Sequence, residues 1–485
     1  MDLVQKGLLG HTPPHPPVPV GPITAADRGA ARSGGWQPVA ATAPFGSNGA
    51  GTPLLMTDGT VMIGDNTSNW YSLTPDSNGS YIHGSWKKRA TLPGNYGPLY
   101  FASAVLPDGK LVINGGEYNF FQEDETNLGA IYDPVANTWT SVNAPNGWSQ
   151  IGDAQSAVLA NGTYMLGNCC TSQQALFNES SKTFTTTGTG KADANSEEGW
   201  TLLPNGKVLT ADVGAEPHSE LYSAASGSWS SAGSLPANLT NAYEIGPQTL
   251  RPNGTVFVAG ADKNTAIYST ATRTWSAGPA LPTVSGAQLD SADGPTSVLT
   301  SGNVLIALSP GVYQSPTYFY IFNGSTFTHI AGIPNAKNDS SYNLRLMMLP
   351  TGQVLATDGS NDVEIYTSTQ NPDGSFAPSI ASVPTTLAPG NTYTISGVHL
   401  NGFTQANAYG DDAQMATNYP LVEIVNAATH HVFFARTHNH SSMAVESPAT
   451  VSTKFDVPAN VEPGSANIYV VANGIKSSPV TVTVQ

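Results

Sequence analysis

Residues Thr201–Asp212 read TLLPNGKVLTAD: an apolar run, a Pro-Asn-Gly turn and a second apolar run. Asn-Gly between two such runs is a strong hairpin signal, because glycine enters left-handed backbone without a Cβ clash. The phrase recurs as LLMTDGTVMIGD, AVLPDGKLVINGG, AVLANGTYMLGN, TLRPNGTVFVAG, SVLTSGNVLIAL and MMLPTGQVLATDG. The turn glycines are Gly59, Gly109, Gly162, Gly206, Gly254, Gly302 and Gly352, spaced by 50, 53, 44, 48, 48 and 50 residues. Each reads as a two-residue hairpin, and the near-constant period reads as a repeat architecture.

Working outward, a third strand follows each hairpin (GAIYDP, QALFNE, SELYSA, TAIYST, VEIYTS), and a fourth opens on an aromatic: Trp86, Trp139, Phe184, Trp229, Trp275 or Phe327. The seventh unit lacks its fourth strand. A matching phrase stands at the other end of the chain, GGWQP (Gly34–Pro38), with Trp36 in the aromatic place. The expected fold is all-β: a seven-bladed kelch-type β-propeller over residues 34–377, closed by the N-terminal strand, with residues 34–41 completing the last blade. Residues 1–33 read as a flexible leader. Residues 378–485 carry seven short alternating strands and read as an immunoglobulin-like β-sandwich.

Composition agrees with strands and tight turns. Of 485 residues only 11% are charged, while 49 are glycine and 36 proline; 39% are hydrophobic, which excludes a disordered chain. Net charge is -16, which argues against nucleic acid or an anionic membrane as partner and permits cations and neutral sugars. No 18-residue apolar run is present, so no transmembrane segment is expected. The composition resembles that of an exported protein, and the expectation is a secreted or extracytoplasmic monomer.

The strand entering each hairpin starts at the same end of its unit as the strand leaving it finishes, so both feed one face. Nine positions before the turn glycines stand Ala50, Tyr100, Asp153, Glu197, Ile245, Asp293 and Asn343, with Glu198, Glu244 and Tyr342 beside them. Four successive units thus bring carboxylates to one level. Carboxylates so close favour protonation unless a cation joins them. Three readings stay open: a divalent cation on oxygen ligands, an acid/base pair, or a water-filled channel. Arg345 is placed to pair with one of the acids. Tyr118, Phe120 and Phe121 in GGEYNFFQEDETN, with Tyr313 in SPGVYQSP, read as a stacking wall for a sugar or as packing over the top of the sheets. His218 reads as a turn residue.

Cys169 and Cys170 are the only cysteines and are adjacent, so a long-range disulfide is excluded. A vicinal disulfide, two free thiols, a redox pair or a soft-metal site remain. In Phe433–Glu446, FFARTHNHSSMAVE, His438 and His440 sit two apart, on one side of a strand. They read as ligands, as a proton carrier, or as a plug pinning the two domains together.

The repeat, the displaced N-terminal strand and the segment YPLVEIVNAATHHVFFARTHNHSSMAV (Tyr419–Val445) together resemble the galactose oxidase and glyoxal oxidase superfamily. The resemblance implies one copper ion held by two tyrosines and two histidines, a tyrosine cross-linked to cysteine, and reduction of O₂ to H₂O₂. Carried over by position, the family's Tyr-His pair falls on Tyr342-Asn343, its radical tyrosine on Asp153, the cross-linking cysteine on Tyr100, and the remaining histidine on His438. One tyrosine and one histidine are kept. The set is oxygen-rich and favours Ca²⁺, Mg²⁺, Mn²⁺ or Zn²⁺ over copper. The expected function is therefore an extracellular binding protein for a glycan or cell-surface ligand, without copper-radical oxidase activity. The alternatives are a carbohydrate-active lyase or hydrolase using Asp153, Glu198, Glu244, Asp293 and a histidine, with Tyr100 or Tyr342 supplying a phenol, or an atypical metal-dependent oxidase using Tyr342, His438 and Asp153.

Overall fold

The seven turn glycines adopt left-handed backbone, with φ between 76° and 89°. In the fourth hairpin Gly206 N–H donates to the Leu203 carbonyl (2.9 Å), and Leu203 N–H donates to Lys207 (2.8 Å). The loop is therefore three residues ending in a left-handed glycine, one longer than the two-residue hairpin read from the sequence. The preceding Asn or Asp closes the turn, as Asn205 Oδ1 does by accepting from Lys207 N–H at 3.0 Å.

The computed structural model describes residues 34–410 and 414–485. The leader expected at residues 1–33 lies outside the described residues. The hairpins build six four-stranded sheets and one five-stranded sheet. Their first strands are Pro53–Leu55, Ala102–Val105, Ser156–Val158, Thr201–Leu202, Gln248–Leu250, Thr296–Val298 and Arg345–Met348. Each touches the next, and the last touches the first. Gly35–Pro38 pairs antiparallel with the seventh sheet, Trp36 opposite Tyr366.

The recurring aromatic explains how the sheets adhere. Its ring packs on the third-strand aromatic of its own sheet: Trp139 on Tyr132 (5.0 Å), Trp229 on Tyr222 (5.4 Å), Trp275 on Tyr268 (5.1 Å) and Trp36 on Tyr366 (5.1 Å). Its indole N–H reaches the preceding unit: Trp139 to the Ala90 carbonyl (3.1 Å), Trp275 to Ser219 Oγ (2.8 Å) and Trp36 to the Ala331 carbonyl (2.9 Å). One residue supplies apolar burial and a directional bond, which is why Trp serves where Leu would not.

The strand pairings correct the expected architecture. The sequence leads one to expect a seven-bladed propeller closed by the N-terminal strand, with a two-sheet sandwich after it. The hydrogen-bonded sheets do not close into one propeller wall. Each is a separate sheet, and the sixth takes its fifth strand, Asn407–Ala408, from the C-terminal region. The C-terminal strands form one nine-stranded sheet instead of two facing sheets. What stands is an all-β protein. The repeat specifies local hairpins, but the partner of an open strand edge is set by long-range packing that no period encodes. Among the described residues no helix is long and apolar enough to cross a membrane.

The C-terminal sheet packs on the hairpin-turn ends. Thr437 N–H donates to the Thr57 carbonyl (3.1 Å), Arg436 Nη2 to the Asp108 carbonyl (2.8 Å) and His440 N–H to the Pro107 carbonyl (3.1 Å). The connection between Thr392–Val398 and Leu421–Asn426 runs among the first strands. Thr404 Oγ1 donates to the Leu250 carbonyl (2.6 Å), Leu202 N–H to Gln405 Oε1 (2.7 Å), Met348 N–H to Asn407 Oδ1 (2.8 Å) and Ser103 Oγ to the Gln414 carbonyl (3.0 Å). With Asn407–Ala408 on the sixth sheet and the Tyr419 hydroxyl on the Leu55 carbonyl of the first, it bonds to strands of six different sheets and so fixes their mutual placement.

Candidate functional site

At the end of the sheets away from the hairpin turns, Glu197, Glu244 and Asp293 converge. All three are buried, and one carboxylate oxygen from each lies within 4.8 Å of the others. They come from the turns leading into the first strands of the fourth, fifth and sixth sheets. Glu197 (φ 60°) and Asp293 (φ 46°) are themselves left-handed, as is Tyr243 (φ 69°) beside Glu244. Non-glycine residues hold such backbone at a cost of about 1–3 kcal/mol each, and it concentrates at functional sites.

Tyrosines cover the carboxylates. Tyr100, Tyr118 and Tyr342 form a buried cluster with Leu99, against which Tyr313 and Phe121 pack. The Tyr313 hydroxyl donates to Glu244 Oε1, and its ring meets Tyr342 edge-on at 5.1 Å. Burial, then Glu244, Asp293 and Glu197, push the Tyr313 phenol far above its ordinary range, so it stays a donor. Burial likewise raises Tyr118 and Tyr342, with Glu117 and Asp153 among the charges acting on Tyr118. Phe120 and Tyr243 are the large apolar residues exposed at the rim, at 37% and 43%.

Arg345 donates from Nη1 to the Tyr342 (2.8 Å) and Leu344 (2.9 Å) carbonyls. Its guanidinium lies 3.7 Å from the Tyr409 ring centroid and 5.2 Å from that of Tyr100. Tyr409 donates its hydroxyl to the Tyr342 carbonyl (2.8 Å). Gly410 packs so close to Asp293 that a Cβ there would lie 2.3 Å from Oδ1. Asn343 Oδ1 accepts from Ser340 N–H (3.1 Å) and holds the turn that presents Tyr342.

Glu198 does not join this group. It faces the opposite way, into a second, buried cluster centred on Lys191, whose Nζ lies 3.0 Å from Glu198 Oε1, 2.8 Å from Glu220 Oε2 and 3.7 Å from Asp212 Oδ1, and also contacts Asp193. Glu197 takes the place at the site. Glu197 sits in a turn with left-handed backbone (φ 60°), so the chain changes direction there and sends the two neighbouring side chains to different places. His218 joins Asp212 through Nδ1 and Ser231 through Nε2 (3.1 Å), away from the three carboxylates.

His438 and His440 are also placed elsewhere, which corrects their assignment to the carboxylate site. His438 Nε2 lies 3.1 Å from Asp456 Oδ1. His440 is buried, its Nδ1 2.8 Å from Thr453 Oγ1 and its ring parallel to Tyr419. Both sit at the hairpin-turn ends, a strand's length from the acids. The segment that reaches the carboxylates is instead the one carrying Tyr409 and Gly410. Its signal in the sequence was length: the stretch between Val398 and Leu421 holds only one two-residue strand among its described residues, and long structureless connections tend to be functional. Cys169 and Cys170 form the vicinal disulfide, with Cys169 Sγ 3.5 Å from Glu125 Oε2. The disulfide lies against Gly152, next to Asp153.

No family model and no curated protein matches the chain. Its fold is similar to that of a fungal alcohol oxidase of the AA5 family, whose structure is in complex with copper: 12% identity, covering 94% of this chain and 100% of that one, TM-score 0.51. The extracellular domain of a putative one-component system from B. thetaiotaomicron covers 94% of this chain and 58% of its own, at 9% identity and TM-score 0.48. The first likeness establishes a distant structural relationship to the copper oxidases and speaks to fold alone.

Proposed function

We propose that the protein is a binding protein whose site is built on a hard divalent cation held by Glu197, Glu244 and Asp293, with the surrounding tyrosines recognising a glycan or another polyhydroxylated ligand. The observation that carries this reading is the convergence of three buried carboxylates within 4.8 Å. Charges so placed repel strongly in a low-dielectric site, and a cation relieves them. Carboxylate oxygens suit Ca²⁺, Mg²⁺ or Mn²⁺; the group contains no imidazole or thiolate, the donors that draw copper or zinc. The residues do not fit a copper-radical centre: both cysteines are joined to each other, which leaves none to cross-link a tyrosine. The vicinal disulfide supports an oxidising, extracytoplasmic setting. The domain boundary near residue 378 belongs to the same reading.

Titration of calcium into chelator-treated protein by calorimetry tests the proposal. Wild type should bind, and Glu244→Gln should weaken binding at least tenfold. Unchanged affinity in the variant would remove the cation from this site. A second reading is favoured by the Tyr313–Glu244 contact, which presents a phenol and a carboxylate side by side as a lyase or hydrolase would use them. Turnover of a polysaccharide, lost in Tyr313→Phe, would select it.

A further inference from the structure

The fourth sheet carries a chain of three polar side chains that runs from the interior to the surface. Asp212 follows the strand Val208–Ala211, and its N–H donates to the His218 carbonyl (3.2 Å). Its Oδ2 bonds His218 Nδ1, while Oδ1 faces Lys191 Nζ at 3.7 Å. On the other side of the ring, His218 Nε2 lies 3.1 Å from Ser231 Oγ, which accepts from Gly233 N–H at 3.1 Å. Among the described residues His218 alone has a carboxylate on one ring nitrogen and a hydroxyl on the other. The Asp212 side chain has zero exposure, that of His218 has 32%, and Ser231 is exposed.

The bonds fix where the protons sit. A carboxylate cannot donate, so neutral His218 carries its proton on Nδ1. Nε2 is then a lone pair, and the Ser231 hydroxyl donates to it. A break in strand register sets up this contact. His218 stands opposite Ser234 and Ser219 opposite Gly233, but Glu220 stands opposite Ser231, so Ala232 is the extra residue of a β-bulge. Without the bulge Ser231 would face Leu221 and point to the other side of the sheet. With it, Ser231 shares the side of His218 and lies diagonal to it. Ser219, by contrast, spends its hydroxyl on the Gly233 carbonyl (2.7 Å) and accepts from the Trp275 indole (2.8 Å).

We propose that Ser231 and His218, with Asp212 positioning the ring, form a second, hydrolytic site that transfers short acyl groups from esters to water. It shares no residue with the Glu197–Glu244–Asp293 group. Ser231 Oγ bonds the ester carbonyl carbon as its proton passes to His218 Nε2. The bond from that carbon to the alcohol oxygen then breaks, and the alcohol leaves with the proton. Water repeats both steps, frees the carboxylic acid and restores Ser231. An exposed strand leaves room for a large alcohol but gives a long acyl chain no wall to bind, which points to acetyl esters. Gly233 N–H is the backbone donor beside Oγ. Loss of one oxyanion donor costs about 10²–10³ in rate, so a single donor predicts slow turnover.

The test incubates the full chain with a fluorophosphonate probe and locates the modified residue by mass spectrometry, with release of nitrophenol from p-nitrophenyl acetate followed in parallel. Wild type should be labelled at Ser231 and hydrolyse the ester. Ser231→Ala should lose both and keep a thermal midpoint close to wild type, because the side chain is exposed. His218→Gln should slow labelling about 100-fold or more. If that variant does not fold, Asp212→Asn should slow labelling comparably. Nitrogen-15 NMR of the imidazole should find the His218 proton on Nδ1 in wild type and on Nε2 in Asp212→Asn, a change that a merely structural Asp212 would not produce. The proposal is overturned if Ser231 of wild type takes up no probe, if labelling proceeds equally fast in folded His218→Gln, or if the wild-type ring proton sits on Nε2.

Discussion

Lys191→Met removes the one ammonium group from the buried cluster of Asp193, Glu198, Asp212 and Glu220. The lysine side chain has zero exposure, and so have those of Glu198 and Asp212. Breaking a buried ion pair costs about 3–5 kcal/mol because the abandoned charge stays buried. Here several charges are abandoned, but they need not stay charged. Burial already lifts Asp212 to about 6 and raises Glu198, both against the pull of Lys191. Without the lysine both rise further and bind protons in the folded state that the unfolded chain releases. A group whose folded pKa is raised loses stability as pH climbs from its unfolded value through its folded one, at about 1.4 kcal/mol per pH unit for each proton. The variant should therefore be destabilised by about 4 kcal/mol at pH 7.5, and by about half that or less at pH 5, where the carboxyls are protonated more readily. Urea unfolding followed by tryptophan fluorescence at the two pH values measures the gap; Trp229 sits 5.6 Å from Nζ and reports locally. A gap under about 1 kcal/mol at pH 7.5, or one that does not widen with pH, would refute the reasoning. Adding Glu198→Gln to the variant should recover part of the loss.

Two further predictions concern the C-terminal region. Burial, then His438 and Arg436, push His440 down to about 3, so folding holds this imidazole neutral. Its contribution is complete above the ordinary histidine range near 6.5 and falls away as pH drops from there toward 3, by at most about 5 kcal/mol. His440→Phe should flatten the acid limb of a urea-stability profile between pH 6.5 and 4, and parallel profiles would exclude His440 as its cause. Gly410→Ala would set a Cβ 2.3 Å from Asp293 Oδ1. It should weaken calcium binding at least tenfold, as read by calorimetry; unchanged binding would show that the Tyr409–Gly410 segment does not constrain the carboxylates.

The hairpins were legible because their chemistry is local. A left-handed glycine after Asn or Asp, flanked by apolar residues, leaves one conformation open, and the aromatic of the fourth strand marks where each sheet must meet the one before. The vicinal disulfide was legible for the same reason: two adjacent cysteines have few other ways to be oxidised together. Sheet association was not legible. Whether Asn407–Ala408 extends the sixth sheet, or the C-terminal strands split into two sheets, depends on contacts between residues more than a hundred positions apart. The site was half legible. Counting from the turn glycine reached Asp293 and, one place aside, Glu244, but the reading took Glu198 where the structure brings Glu197 to the group. The histidines failed as candidates because a spacing of two residues says which side of a strand they share and nothing about which end of the molecule that strand meets.

That Glu197 and Glu198 part company follows from the backbone. Glu197 is left-handed, and the equivalent turn is left-handed at Tyr100 (φ 53°), at Gly152 before Asp153 (φ 70°), at Tyr243 before Glu244 (φ 69°) and at Asp293. With Gly49 before Ala50 (φ 77°), the repeat turns through positive φ before its first strand in six units, and in only two of them does glycine occupy that place. Glycine would relieve the turn at the other four, by roughly a kilocalorie per mole each. At the hairpin turns, where nothing is held, all seven positions are glycine. At the opposite end the chain keeps carboxylates and tyrosines in the same kind of backbone, and several of those side chains converge on one group of oxygens. A turn that retains such a side chain at the expense of its own ease supports the proposal that the binding site lies at this end of the sheets, and it does so without appeal to any relative.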